Sequence, residues 1–309
     1  MSTVDIVDRL DPSLRHLAES RTNLLAEVLP TYRESLNQRR RDEARAVDTT
    51  GVTIEDTMAD SVPVRIYRGG PSPAPAVIYC HSGAFVLGNL DVDHRQCVEL
   101  AKRGRCTVVS VDYRLAPEHP YPAALDDAMT VLQWAADNRS EPGVDASRLA
   151  VAGSSAGGAL AARLAQRAAE GSAPRVGFQL LHQPVLDDRP TASTEEFDSA
   201  PGFDGPAVTL MWRHYLAGRQ ASADAAPARA TELAGLPDTL ITCSELDPLR
   251  DEAVDYAVRL MRAGVATELH VFPGTCHGFD AFVPEWETSQ QLYALQGAAL
   301  RRAFAAATD

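Results

Sequence analysis

The chain has 309 residues, 45% of them hydrophobic and 23% charged, ordinary values for a globular protein and enough to bury a large core. Its 42 acidic against 29 basic side chains give a formal net charge of −13, which offers no electrostatic footprint to a phosphate backbone, so nucleic acid is not expected as a partner. No apolar run reaches the roughly 18 residues of a membrane span, and Met1-Ser2-Thr3-Val4-Asp5 carries charge where a signal peptide needs an apolar core. Stable membrane insertion is therefore not expected, and a cytosolic location is. Cys80, Cys97, Cys106, Cys243 and Cys276 are scattered, odd in number and without a C-x-x-C pair, which points to buried reduced thiols.

Residues 1–45 are polar, with Leu10, Leu14 and Leu17 and then Leu24, Leu25, Val28 and Leu29 at helical spacing, which predicts two helices outside the main sheet. Arg39-Arg40-Arg41 beside Asp42 and Glu43 reads as a solvated helix face. From Val52 the period shifts to two, and Val52–Ile54 and Val62–Tyr67 read as strands meandering at a sheet edge. A continuous apolar run follows at Ala76–Cys80, and Thr107–Val111, Arg148–Ala152, Phe178–Leu181, Thr239–Cys243 and Leu269–Phe272 read as further strands. Helices are predicted near 93–103, 123–138, 159–169, 250–263 and 288–306. Strands alternating with helices predict right-handed crossovers and a mostly parallel sheet covered on both faces, an α/β architecture. The alternation fails between about 187 and 235, where acidic loops, a helix-like Ala207–Leu216 and an alanine-rich stretch read as an insertion over the active face, joined there by the N-terminal helices.

The chemistry centres on Leu149-Ala150-Val151-Ala152-Gly153-Ser154-Ser155-Ala156-Gly157-Gly158, a strand-like run that breaks and resumes as a strong helix former. Gly153, Ser155 and Gly157 fit G-x-S-x-G, in which the serine sits at the tip of a strained corner and side chains two residues away would collide with the neighbouring backbone. Ser155 is the candidate nucleophile, and a serine hydroxyl needs a base oriented by a carboxylate. His277 stands in a short glycine-flanked loop directly beyond the strand ending at Phe272. Asp247, ahead of Pro248 at the end of the preceding strand, is the candidate acid, with Glu245 the runner-up and Asp251 better placed to favour a helix dipole. The order serine, acid, histidine is the one an α/β hydrolase requires. Oxyanion donors should come from the Ala156 N–H and from the loop His81-Ser82-Gly83-Ala84, with His81 anchoring that loop. The other histidines read as packing or hydrogen-bonding residues. No pair of histidines has ligand spacing, so no metal and no cofactor are expected.

With those pieces placed, residues 60–300 resemble the hormone-sensitive-lipase-like family of α/β hydrolases, microbial carboxylesterases in particular. The carriers are His81-Ser82-Gly83-Ala84-Phe85, Asp112-Tyr113-Arg114-Leu115-Ala116-Pro117-Glu118-His119-Pro120, Gly153–Gly158, Asp247-Pro248-Leu249-Arg250-Asp251 and His277-Gly278-Phe279. The resemblance implies an α/β-hydrolase fold with a helical cap, Ser155, His277 and Asp247 as the triad, and N–H donors at Gly83, Ala84 and Ala156. It also implies a cap built from 1–45 and 187–235 over a catalytic body of 46–186 and 236–309. The 113–120 turn would be scaffolding, with Arg114 and Glu118 as a supporting ion pair. The family's oxyanion loop is usually His-Gly-Gly-Gly, whereas this chain has Ser82 and Ala84, and Ser154 stands where the family often has Asp.

The expected activity is hydrolysis of short- to medium-chain acyl esters of small molecules. Amide, carbamate or lactone hydrolysis by the same triad is the alternative within enzymes, and a non-catalytic small-molecule receptor the alternative outside them. Phe85, Val86 and Leu87, with Trp212 and Tyr215 from the insertion, are the expected walls of the acyl pocket. Leu292, Leu295 and Ala299 form an apolar stripe that could support a homodimer, or could pack on the chain's own sheet.

Overall fold

The computed structural model describes residues 6–137 and 143–306. Met1–Asp5 and Asn138, the expected end of the second crossover helix, lie outside the described residues. Residues 6–45 form a one-turn helix α1 (Ile6–Arg9), a 3-10 turn (Pro12–Leu17) and a long helix α2 (Leu29–Arg45), so the first expected helix is split into short pieces and the second begins later than expected. Proline suits only the first turn of a helix, and Pro30 therefore starts α2 where it does, leaving Leu24 and Leu25 in the connection.

Eight strands, β1 (Thr53–Ala59), β2 (Val62–Arg68), β3 (Ala74–Cys80), β4 (Thr107–Val111), β5 (Val144–Ser154), β6 (Phe178–His182), β7 (Asp238–Leu246) and β8 (Thr267–Cys276), form one sheet in the order β1-β2-β4-β3-β5-β6-β7-β8. β2 runs antiparallel to both its neighbours, and every later pairing is parallel. The helices that follow are α3 (His94–Gly104), α4 (Ala123–Ala136), α5 (Ala156–Ala169), α6 (Ala192–Glu196), α7 (Gly205–Leu216), α8 (Arg250–Arg262), α9 (Phe279–Phe282) and α10 (Glu287–Ala306).

Successive strand residues point to opposite faces. Ile78 and Val151 join a core with α4, α5 and α8, while Val77, Tyr79, Ala150 and Ala152 join a second core with α3 and α10. Burial on both faces is why these strands read as unbroken apolar runs, and each Val, Ile or Leu so buried contributes about 1.5–3 kcal/mol. Leu292 and Ala299 are buried within the chain itself, and Leu295 packs partly buried beside them. All five cysteines are buried and unpaired, and burial pushes the thiols of Cys80, Cys106 and Cys276 up to about 12. Among the described residues no helix is long and apolar enough to cross a membrane.

The 187–235 stretch is held down along its length. At α6, Asp251 accepts the Ser193 N–H at 2.9 Å, and the Ser193 hydroxyl donates to the Pro248 carbonyl at 2.9 Å. Arg9 and Arg250 lie over the Phe197 ring at 5.4 and 5.0 Å, and both pair with Glu196. At the entrance to the stretch, Glu252 accepts the Leu186 N–H at 2.7 Å.

Glu252 is fully enclosed, and burial drives its pKa well above the usual carboxylate range, with the charge of Asp187 acting in the same direction. A carboxyl whose pKa is raised on folding binds more protons in the folded state. Its stabilising contribution is therefore full below the unfolded pKa and is lost as pH rises through the folded value. Glu252→Gln, neutral throughout, should escape that loss. Thermal melts at about pH 5 and about pH 8 should show the variant gaining on the wild type at the higher pH, by on the order of a few degrees. An equal difference at both pH values would contradict the assignment.

Candidate active site

β5 ends at Ser154 and α5 begins at Ala156, so Ser155 alone makes the corner, at φ 55° and ψ −119°. That conformation is strained for a residue with a Cβ, and neighbouring backbone holds it in place. The Ser155 N–H donates to the His182 carbonyl at 2.9 Å, and its own carbonyl accepts the Val185 N–H at 3.0 Å. A Cβ at Gly153 would stand 2.1 Å from the Gly157 carbonyl oxygen, and one at Gly157 would stand 1.9 Å from that of Cys80. The G-x-S-x-G spacing is thus a packing requirement, as the sequence predicts.

β7 and β8 deliver the other two groups. His277 Nε2 lies 3.0 Å from the Ser155 hydroxyl oxygen, and His277 Nδ1 lies 2.8 Å from Asp247 Oδ2. The other Asp247 oxygen accepts the Leu249 N–H at 2.9 Å, and the carboxylate is fully buried. A carboxylate on Nδ1 makes that nitrogen the protonated one and leaves Nε2 free to accept from the serine. Glu245, the runner-up acid, is turned away: it accepts the Gly274 N–H at 2.8 Å and pairs with Arg9 at 3.3 Å, tying the histidine loop to α1. Gln183 supports the same loop from the other side. Its Oε1 accepts the Gly278 N–H at 2.7 Å, its Nε2 donates to the Ser244 hydroxyl at 2.7 Å, and that hydroxyl donates to the Cys276 carbonyl at 3.0 Å.

Beyond β3 the backbone turns through three consecutive left-handed residues, Gly83 (φ 128°), Ala84 (φ 55°) and Phe85 (φ 60°). A Cβ at Gly83 would meet the Leu87 carbonyl oxygen at 2.2 Å, so this one glycine is indispensable. Among the described residues, the N–H groups of Gly83, Ala84 and Ala156 donate to no protein acceptor. Ser82 is held by Asp93: its N–H donates to Oδ2 at 2.7 Å and its hydroxyl to Oδ1 at 2.8 Å, while the Tyr79 hydroxyl donates to Oδ2 at 2.9 Å. His81 is buried, and that burial lowers its pKa. Its Nδ1 lies 2.7 Å from the Ser82 carbonyl oxygen, its ring stacks on Tyr113 at 4.1 Å, and the Tyr113 hydroxyl donates to the His81 carbonyl at 2.8 Å. His81 therefore anchors the loop as expected.

The 113–120 turn is scaffolding through different partners from those expected. Arg114 pairs with Asp127 at 2.8 Å, and Glu118 pairs with Arg33 of α2 at 2.9 Å. Arg33 also donates to the Val86 and Ala116 carbonyls at 2.9 and 3.1 Å, fastening α2 to both the turn and the Ser82–Leu87 loop. The expected Arg114–Glu118 pair is absent because each side chain meets a better-placed partner on a neighbouring helix.

A cavity of ≈ 280 Å³ opens at Ser155 and His277. Its walls are Tyr32, Leu36, Arg39 and Arg40 of α2, the Ser82–Ala84 loop with Leu87, and Phe203 and Phe282. A second cavity of ≈ 270 Å³ adjoins it, with Arg40, Asp93, Gln96 and Phe282 common to both. Of the expected acyl-pocket residues only Leu87 lines the first cavity. Phe85, Val86, Trp212 and Tyr215 are buried in the body instead. The left-handed turn at Phe85 puts its ring on Tyr215 at a centroid distance of 3.7 Å, and α7 spends its aromatic face on that contact. Arg39 and Arg40 correct a second expectation, since they face the cavity and not open solvent alone.

Asp93, Gln183 and Phe203 carry no signal that sequence reading could use. An aspartate ahead of a helix reads as a helix cap, and a glutamine or phenylalanine in a loop reads as nothing in particular. Phe203, from the 187–235 stretch, packs against the His277 ring at 5.1 Å.

A mostly parallel sheet with a hydrogen-bonded serine, histidine and aspartate on the loops beyond β5, β8 and β7 has the organisation of an α/β hydrolase. A family model described as the alpha/beta hydrolase fold matches residues 77–281, and the chain belongs to that family. It is 40% identical to Esterase LipI of Mycobacterium tuberculosis over 259 residues, 80% of this chain and 81% of that protein. It is 37% identical to the Ethyl acetate hydrolase of Pseudomonas putida over 254 residues, 77% of each. The crystal structure of esterase LipW from Mycobacterium marinum superposes with a TM-score of 0.95 at 62% identity, covering 97% of this chain and 98% of that one. The hormone-sensitive-lipase-like resemblance holds, and the chain is a carboxylic ester hydrolase.

Proposed function

We propose that this esterase hydrolyses short- to medium-chain acyl esters of small molecules through a Ser155 acyl-enzyme. The observation that carries the reading is the unbroken hydrogen-bonded line from Asp247 through His277 to Ser155, beside backbone N–H groups that no acceptor among the described residues uses. Ser155 Oγ attacks the ester carbonyl carbon while His277 Nε2 takes its proton. The N–H groups of Gly83, Ala84 and Ala156 hydrogen-bond to the oxyanion. As the tetrahedral adduct collapses, the C–O bond to the alcohol breaks and Nε2 returns the proton to the leaving oxygen. Water then attacks the acyl-enzyme by the same steps. Asp247 holds the imidazole's orientation throughout and stabilises its protonated form.

Residues 1–45 and 187–235 act as the cap over this site, a reading supported by the cavity walls they contribute, Tyr32 and Leu36 from one and Phe203 from the other. The modest cavity, and a relative named for ethyl acetate, favour short acyl groups. Five unpaired cysteines favour the reducing cytosol.

The test is a panel of p-nitrophenyl esters from acetate to decanoate, run beside matched anilides, carbamates and lactones. The expected result is a maximum of kcat/KM among the shorter esters, with the other classes well below. A maximum among anilides, carbamates or lactones would replace the ester assignment, and saturable binding without turnover of any of them would mark a receptor.

A further inference from the structure

We propose that Asp93 is a positioning residue of the oxyanion loop, setting where the Gly83 and Ala84 N–H groups stand relative to Ser155. The proposal rests on the serine mechanism above and explains how a chain with serine at position 82 keeps a working loop.

Asp93 sits at the N-terminus of α3, where an aspartate ordinarily caps its own helix. Its side chain makes no such bond. Both carboxylate oxygens are directed instead to Ser82, one to the N–H at 2.7 Å and one to the hydroxyl at 2.8 Å, and the Tyr79 hydroxyl of β3 adds a third bond at 2.9 Å. Charge-assisted bonds of this length are the stronger kind, and two of them on one residue fix its orientation as well as its place.

The residue so fixed stands immediately before three consecutive left-handed residues, two of them not glycine. Backbone of that kind persists only where surrounding contacts over-determine it. Downstream, the Gly83 carbonyl accepts the Val86 and Leu87 N–H groups at 3.0 and 2.7 Å. Upstream, the Asp93 carboxylate supplies the matching restraint. A serine at 82 is therefore useful: its hydroxyl gives Asp93 a second point of attachment that glycine cannot offer. A carboxylate near an oxyanion would oppose it, but here three donors take up the charge.

The experiment compares Asp93→Ala, Asp93→Asn, Ser82→Ala and Ser155→Ala on p-nitrophenyl butanoate. Active sites are counted by fluorophosphonate labelling, and affinity is measured for a trifluoromethyl ketone that forms an oxyanion adduct. Per labelled site, Asp93→Ala should lower kcat on the order of 10²-fold, with KM within about threefold and ketone affinity falling in parallel. Asn can accept from the Ser82 N–H and donate to its hydroxyl, so Asp93→Asn should recover kcat to within roughly tenfold of the wild type. Full kcat per labelled site in Asp93→Ala, beside an inactive Ser155→Ala, overturns this proposal and leaves the serine mechanism standing. An active Ser155→Ala overturns both. Should Asp93→Ala fail to fold, Ser82→Ala decides: a reduced kcat at unchanged KM supports the restraint, and an unchanged kcat overturns it.

Discussion

Replacing Ser155 by alanine should reduce kcat/KM on p-nitrophenyl butanoate by on the order of 10⁴-fold or more. In the proposed mechanism the substitution deletes the atom that attacks the carbonyl and leaves Asp247, His277 and the backbone N–H groups in place. Alanine is the right replacement because it keeps a Cβ, and so keeps the φ of 55° as strained as the serine had it. Glycine would relax the corner and confuse lost chemistry with changed geometry. The melting temperature should therefore move little while the rate collapses. The small residual rate should still exceed the uncatalysed one, since oxyanion donors and binding act without the nucleophile. Hydrolysis at the wild-type rate would remove Ser155 from the mechanism.

Asp247→Asn should cost almost as much, on the order of 10³–10⁴-fold in kcat. The amide N–H₂ would face His277 Nδ1, where the carboxylate now stands at 2.8 Å, and the favoured response is the opposite tautomer. Nε2 would then carry a proton and point it at the serine, unable to accept one. Glu245→Gln is the contrast. Glu245 holds the Gly274 N–H and Arg9 without touching the imidazole, so the variant should keep kcat within about threefold while weakening the tie to α1. Steady-state rates of the two variants, measured together, assign the acid. Should Glu245→Gln fall as far as Asp247→Asn, the histidine loop rather than the tautomer is what matters.

The strands from β3 to β7 were legible because their central residues are buried on both faces, leaving an apolar run bounded by turn residues that no surface helix would imitate. The hydrogen-bonded trio was legible for a related reason: in a parallel sheet the reactive groups must stand just beyond strand ends, so Asp247 and His277 could be found by counting strands past Ser155. What escaped were facts of packing between distant segments. Phe85, Trp212 and Tyr215 are aromatic and near the site in sequence logic, yet one left-handed turn rotates the Phe85 ring into the body, and Trp212 and Tyr215 follow it. Arg114 and Glu118 have matching charges at suitable spacing, but local spacing says nothing about Asp127 or Arg33 waiting on neighbouring helices. Asp93 looks like any helix cap until the loop it holds is seen.

The clasp around α1 bears on the order in which the enzyme can be assembled. The Asp11 N–H donates to the Gly274 carbonyl at 2.9 Å, and Arg9 reaches both Glu196 and Glu245. The Gly274 and Glu245 ties span most of the chain, so on the ribosome the α1 segment cannot complete its docking until β8 has been made. Contacts of such sequence separation form late, because the intervening loop must be ordered first. α2 is placed earlier, since Arg33 meets its partners Val86, Ala116 and Glu118 long before, so a nascent chain that already holds β1 to β7 and the wall of Tyr32 and Leu36 would still lack the histidine loop and its tie to α1.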